Sequence, residues 1–417
     1  MTVRRPHPVR SLTTQNGARH HPAKDLLSLA IRAFRAVVPG RVKKAIDVLW
    51  KRVLHEGGAS APGDSPVLEM MVESLEEAPE REPELVAKLM ASYRAAKERQ
   101  EQLAGPYLPG AEWKVLLESQ WGTYREAIDR GDVSAVAALL RNFFRNEGIS
   151  GFWGGSRMFE MFAALEGIQS LARADLMRRQ FEAWRAAWPG VSVAELDAPR
   201  IGNPWGYLIE GNLLYEPICE YHHQARHFAK LLSEVSAPVV LEIGGGFGGL
   251  GYQIARQIPR VRYLGFDLPE NVLLQSYYLS CAFPGARILT YDPGLVAVRQ
   301  ETLADYDFVL LPNFIIPGVE SGAADLVVNV RSLSEMPVET IDEYYRQIDR
   351  LGRLFFFHGN LFKDRSDGWY GIPSTRFPTL ENFVRVAESE SIWPRYQRDS
   401  GYPCHENLYI RRSVLRR

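Results

Sequence analysis

The spacing of apolar positions changes near residue 236. Before it, apolar side chains recur at intervals of three and four, the period of helices with one buried face. After it, short apolar runs alternate with amphipathic stretches. That pattern predicts a mostly parallel sheet with helices on both faces. Val239–Ile243 and Val261–Phe266 read as the first two strands, followed by helices over Leu250–Gln257 and Pro269–Cys281. Ala286–Thr290 and Asp307–Leu311 both qualify as the next strand. Asp325–Val330 is apolar after its Asp, as a buried central strand should be. A helix over Val338–Leu351, a strand over Arg353–His358 and a last strand over Leu408–Arg412 complete the pattern.

The N-terminal half reads differently. Residues 1–66 form a basic tail, and 67–235 a helical region ahead of the 236–417 unit. In the tail, Leu27, Ile31, Phe34 and Val38 keep helical spacing, and Val42, Ile46, Leu49 and Val53 repeat it after Pro39-Gly40. Glu56–Pro66 is a linker by composition, and 67–103 is Glu-rich and helical in pattern. Several amphipathic helices follow over 111–186, their aromatic residues read as helical core. Gly202–Tyr207 reads as a polar loop and Tyr215–Leu232 as a long helix.

Charge changes the picture only at the start. The chain has 417 residues, with 49 basic against 50 acidic, and 46% of its residues are hydrophobic. This balance gives no reason to expect a nucleic-acid partner. Residues 1–55, however, hold twelve Lys or Arg against two Asp. Two readings stay open for 25–55: contact with an anionic membrane surface, or helices packed on the body or on a second copy in a homodimer. The scattered Cys219, Cys281 and Cys404 suit a reducing compartment and argue against a zinc cluster. With no apolar leader evident, the expectation is a cytoplasmic protein, at the inner membrane face if the basic helices dock there.

The chemistry concentrates at Val-Val-Leu-Glu-Ile-Gly-Gly-Gly-Phe-Gly-Gly, residues 239–249. A strand ends in Glu242, and Gly244, Gly246 and Gly249 then satisfy G-x-G-x-x-G before a helix. Glycines allow positive φ and close approach to a ligand, while the helix start offers free N–H groups. Asp267 ends the second strand about 20 residues on, where an acid suits a ribose diol. These features predict a nucleoside site. Glu242 would repel a pyrophosphate and tolerate a cationic amino-acid tail, which favours S-adenosylmethionine over NAD.

Leu241–Gly249 resembles motif I of class I S-adenosylmethionine-dependent methyltransferases, and Phe266-Asp267-Leu268-Pro269-Glu270 resembles their second motif. Taken with Gly202-Asn203-Pro204, Tyr277-Tyr278-Leu279, Phe283-Pro284 and Ser332-Leu333-Ser334-Glu335-Met336, the chain is similar to a bacterial group of sugar O-methyltransferases. The resemblance implies a Rossmann-like α/β sheet, mostly parallel with an antiparallel last strand, behind an N-terminal α-helical domain. It makes Asp307–Leu311 the third core strand, so that Asn313 reads adenine, and Ala286–Thr290 an extra strand or insertion. Glu242, Gly244, Gly246, Phe247 and Gly249 would surround the amino-acid tail and ribose. Asp267 would take the ribose hydroxyls, Leu268 would pack on adenine, and Arg331 and Ser332 would lie beside the sulfonium.

A sugar hydroxyl needs a base as the new bond forms. Glu335, after the fourth strand, is the first choice, with a helix-capping role as its alternative. His222 and His358 are the runners-up. The resemblance implies that 67–235 forms a lid on the acceptor side, with Asn203, Tyr215 and His222 near the acceptor; Asn360, Arg376 and His405 are expected there too. No metal is expected, because Asp364 and Asp367 sit among basic neighbours. Other readings stay open: methylation of a non-sugar metabolite or peptide, an NAD-linked oxidoreductase, or a noncatalytic scaffold.

Overall fold

A computed structural model describes residues 69–71, 81–149, 168–364, 371–393 and 403–415. The basic segment 25–55 and the linker 56–66 lie outside them. In chain order the N-terminal elements are β1 (Glu69–Met71), α1 (Glu82–Glu101), α2 (Ala111–Gln120), α3 (Gly122–Asp129), α4 (Val133–Arg141) and α5 (Ile168–Ala187). Then come β2 (Gly206–Ile209), β3 (Asn212–Leu214) and α6 (Ile218–Leu231). The sheet region contains β4 (Val239–Ile243), α7 (Gly249–Gln257), β5 (Arg262–Asp267), α8 (Pro269–Ala282), β6 (Ile288–Thr290), α9 (Gln300–Asp305), β7 (Phe308–Pro312) and β8 (Ala324–Val330). It closes with α10 (Val338–Leu351), β9 (Gly352–Leu361), β10 (Phe383–Glu390) and β11 (Cys404–Arg411). No described helix is long and apolar enough to cross a membrane.

Eight strands form one sheet in the order β10-β11-β9-β8-β4-β5-β7-β6. The run from β9 through β6 pairs parallel, and β11 pairs antiparallel with both β9 and β10. This is the Rossmann-like arrangement with an antiparallel last strand. Phe308–Pro312 is the third core strand, and Ile288–Thr290 is an added edge strand beside it. Chain order reverses between β4 and β8, so the crevice of this doubly wound sheet opens at the carboxyl ends of those strands. Asp325, fully buried, ties the other end: Oδ2 accepts from Val239 N at 3.0 Å, and Oδ1 accepts from Arg353 Nε at 2.8 Å.

α10 buries Ile341, Tyr344, Tyr345, Ile348 and Leu351, a helical stripe. α8 is buried along most of its length between the sheet and α1. Two buried acids join those helices. Glu82 of α1 accepts from Tyr277 Oη at 2.7 Å and pairs with Arg141. Glu270 of α8 pairs with Lys97 Nζ at 2.9 Å.

Some elements depart from the sequence expectations. Glu69–Met71, inside the segment read as helical, is a strand that pairs antiparallel with β2. Gly206-Tyr207, read as loop, begins a hairpin whose two-residue turn, Glu210-Gly211, has φ of 50° and 78°. The helix expected from Tyr215 starts at Ile218, after Pro217. β10 carries no apolar alternation because most of it is exposed at the sheet edge. The last strand starts at Cys404 rather than Leu408, since its first half pairs with the end of β9.

Candidate functional site

The glycine turn leaves β4 at the crevice. Gly244, Gly246 and Gly248 have φ of 75°, 57° and 96°. Such angles strain any residue with a Cβ. A Cβ on Gly244 would also strike the Ser332 hydroxyl. Asp267 clamps the turn from the end of β5. Its Oδ2 accepts from Gly246 N at 2.8 Å, and its Oδ1 accepts from Leu268 N at 2.7 Å and Asn271 Nδ2 at 2.8 Å. A carboxylate offers about four acceptor sites, so Oδ2 has room for one more donor. Burial raises the Asp267 carboxyl to about 6 against the pull of those donors.

Glu242 lies one strand over and is 3% exposed. It accepts from the Tyr263 hydroxyl at 2.5 Å, and Tyr263 accepts from Gln275 Nε2 at 3.1 Å. Burial, partly offset by Tyr263 and reinforced by Asp267, raises this carboxyl to about 7. Two acids buried side by side each disfavour the other's charge.

Both carboxylates line a cavity of about 350 Å³. The sheet side is Phe266, Leu268, Asn271, Asn313 and Tyr344. Asn313 is 6% exposed; its Nδ2 donates to Tyr107 O at 3.1 Å, while its Oδ1 has no hydrogen-bond partner and lies beside the Tyr344 hydroxyl. Arg331 follows β8 at φ 66°, and its Nη1 donates to Glu220 Oε1 at 2.6 Å. Ser332 Oγ donates to Ile243 O at 3.2 Å and accepts from Asn329 Nδ2 at 2.6 Å. Asn360 Nδ2 donates to Asn329 Oδ1 at 2.9 Å, which makes Asn360 a support one layer below the wall. Glu335 faces the cavity, and its Oε2 accepts from Trp113 Nε1 at 3.1 Å. The Ser332 side chain makes no cap bond on the short turn Leu333–Glu335.

The remaining expected residues lie apart from the cavity wall, except Phe247, whose ring lines it and packs edge-on against Phe144 and Tyr278. Gly249 opens α7 against Tyr221. His222 is buried in the helical layer: Trp184 Nε1 donates to its Nδ1 at 3.0 Å, which leaves Nε2–H to donate to Glu195 Oε2 at 3.2 Å. Burial lowers its pKa. His358 lies beneath the sheet among Phe356, Phe377 and Tyr409, where burial lowers it to about 3. Neither imidazole reaches the cavity, because each is on the wrong face of its element. Asn203 donates to Asn142 Oδ1 at 2.8 Å, and Tyr215 packs on Phe144 and Phe247. Arg376 pairs with Asp364 at the surface at 2.9 Å. His405 stacks on Phe362 and meets Glu388 at 2.9 Å. Among the described residues no group of His, Cys, Asp and Glu is arranged to hold a metal ion.

Several wall residues escaped the sequence reading: Pro106, Leu108, Pro109, Gly110, Trp113, Gln180, Glu216, Glu220, Tyr221 and Tyr344. Glu216-Pro217 ahead of a helix was the only local signal. Glu220 and Tyr221 ride on the helix that Glu216-Pro217 precedes, while Pro106–Gly110, Trp113 and Gln180 arrive from elements remote in sequence.

No protein-family model matches the chain, and no curated protein sequence does. Solved structures are similar in part. Magnesium protoporphyrin IX methyltransferase from Synechocystis PCC 6803 with bound SAH is 13% identical, over 58% of this chain and 99% of that one, with a TM-score of 0.31. The N-methyltransferase NodS from Bradyrhizobium japonicum with S-adenosyl-L-homocysteine is 15% identical over 46% and 86%, with a TM-score of 0.31. Geranyl diphosphate methyltransferase in complex with SAM is 11% identical over 46% and 85%, with a TM-score of 0.32. At these TM-scores the likeness adds nothing to what the sheet order and the cavity themselves show.

Proposed function

We propose that the chain is an S-adenosylmethionine-dependent O-methyltransferase acting on a hydroxyl of a sugar or glycoconjugate. One observation carries the cofactor reading. Glu242 and Asp267, both buried and both raised, flank a glycine turn at the strand ends of a cavity with an orphaned amide oxygen at Asn313. A cationic nucleoside with a ribose and an amino group on its base fits each of these features. A dinucleotide's pyrophosphate at this turn would meet two carboxylates, at a Coulombic cost.

The donor, when bound, supplies an electrophilic methyl group on a cationic sulfur. The chain's residues do the rest. Glu242 attracts the cationic end through its carboxylate. Asp267 Oδ2 accepts a ribose hydroxyl while its other bonds hold the turn rigid. Leu268 and Phe266 provide an apolar slot for the base, and Asn313 Oδ1 accepts from its amino group. Ser332, braced by Asn329, positions the backbone after β8. Glu335 accepts the proton of the acceptor hydroxyl as it attacks, and the Trp113 indole N–H holds that carboxylate in place. Alignment of the reacting groups supplies most of the acceleration. The acidic, hydrogen-bonding wall around Glu216, Glu220 and Glu335 supports a polyhydroxyl acceptor.

Calorimetry with S-adenosylmethionine, S-adenosylhomocysteine and NAD tests the cofactor. Binding of NAD alone would reject it. Mass spectrometry of a sugar and glycoconjugate panel incubated with the donor tests the acceptor. Methyl incorporation only into amines or non-sugar alcohols would reject the second half of the proposal.

A further inference from the structure

A segment from outside the sheet region reaches across to the base end of the cavity. Pro106–Gly110 lies between α1 and α2, and its Pro106, Leu108, Pro109 and Gly110 line the cavity wall. Three hydrogen bonds fasten it to the sheet side. Thr340 Oγ1 donates to Pro106 O at 3.0 Å, the Tyr107 hydroxyl donates to Glu343 Oε1 at 2.5 Å, and Asn313 Nδ2 donates to Tyr107 O at 3.1 Å. The Tyr107 ring also meets Tyr344 edge-on, with centroids 5.8 Å apart.

The third bond has a chemical consequence. An amide side chain has one donor end and one acceptor end, and either can be presented to a ligand if the group is free to turn over. Here it is not free. A backbone carbonyl can only accept, so turning Asn313 over would set two acceptor oxygens against each other. The amide is held with Nδ2 on the segment and Oδ1, buried and without a partner, in the cavity wall.

We infer that the Pro106–Gly110 strap acts as a positioning element for base selection: by occupying the donor end of Asn313 it makes the site accept a 6-aminopurine and reject a 6-oxopurine. The inference rests on the reading of the cavity as an S-adenosylmethionine site. A 6-amino group donates to Oδ1. A 6-oxo group would bring a second acceptor to it, and the one hydroxyl beside them, that of Tyr344, could donate to only one of the two oxygens, leaving the other unpaired in a buried place. Selectivity at the base is then set by α1–α2 chain that the Rossmann-like sheet does not itself contain.

Binding, rather than turnover, tests this. Calorimetry compares S-adenosylhomocysteine with its hypoxanthine counterpart, S-inosylhomocysteine. The wild-type chain should prefer the adenine form by about tenfold or more. Tyr107→Phe combined with Thr340→Val removes both side-chain anchors, lets the strap drift and frees the amide to turn. The preference should then shrink to within about threefold. Thr340→Val alone, the milder change, should give an intermediate ratio. Asn313→Leu should abolish the preference. A merely structural role for the strap would weaken both ligands together and leave their ratio alone. A wild-type ratio in the double variant or in Asn313→Leu, with S-adenosylhomocysteine still bound, overturns the inference. A wild-type chain that binds neither compound overturns instead the cofactor reading beneath it.

Discussion

Glu242 offers the sharpest test of how the cavity attracts its ligand. Burial, with the charge of Asp267 beside it, raises its carboxyl to about 7. A raised carboxyl is protonated and neutral below that value, so acidification removes the charge that draws in a cation. Between about pH 7.5 and about pH 6 the ionised fraction of such a group falls from roughly three quarters to roughly one tenth. For a ligand that needs the anion, that is about an eightfold loss of affinity, or about 1.2 kcal/mol. Asp267, raised to about 6, contributes about a further twofold over the same interval. The assay is titration calorimetry with S-adenosylmethionine across that window, which lies below the titration of the donor's own α-amino group at about 8. Wild type should lose about sixteenfold, and Glu242→Gln only about twofold. Below pH 7, wild-type binding should also release protons, seen as a dependence of the heat on buffer ionisation. An affinity that stays flat in the wild type, or a slope that survives Glu242→Gln, refutes the reasoning.

Further expectations follow from the same geometry. Glu335→Gln should lower kcat by about a hundredfold or more, as loss of a general base does, whereas His222→Gln and His358→Gln, away from the cavity, should leave kcat of the folded enzyme within about threefold; steady-state kinetics showing the reverse order would move the base. Gly244→Ala should abolish donor binding, because the new Cβ strikes Ser332, and adding Ser332→Gly should restore part of it in the same calorimetric assay. Asp325→Ala strands the Val239 N–H and Arg353 at the base of the sheet, and urea unfolding should show a loss of about 3 kcal/mol. In the unliganded chain the raised pKa of Glu242 makes its ionised form a cost, so Glu242→Gln should raise Tm at about pH 8 and lose most of that advantage by about pH 5.

The sheet was legible from residue 239 on because its strands are buried on both faces. A run such as Val239–Ile243 has to be apolar whatever packs on it. The turn was legible because positive φ leaves few residues other than glycine, and the place of Asp267 because it ends the next strand, where its carboxylate clamps the Gly246 N–H. β10 was not legible, since an exposed edge strand need not alternate. The two histidines misled for a related reason. An imidazole on a helix or strand looks the same in sequence whether it faces a cavity or a Trp, and only the packing of Trp184 on His222, and of Phe356 and Tyr409 on His358, decides between them.

By itself, then, the order of residues determined the parallel sheet, its glycine turn and the pair of carboxylates at the strand ends, because burial on two faces and left-handed backbone angles are local demands that few residue types meet. Tertiary structure alone decided which side chains close the cavity. Trp113 reaches Glu335 across 222 positions and the Tyr107 carbonyl reaches Asn313 across 206. No local period records contacts of that span, since they arise only when helices from the first third of the chain pack over the sheet.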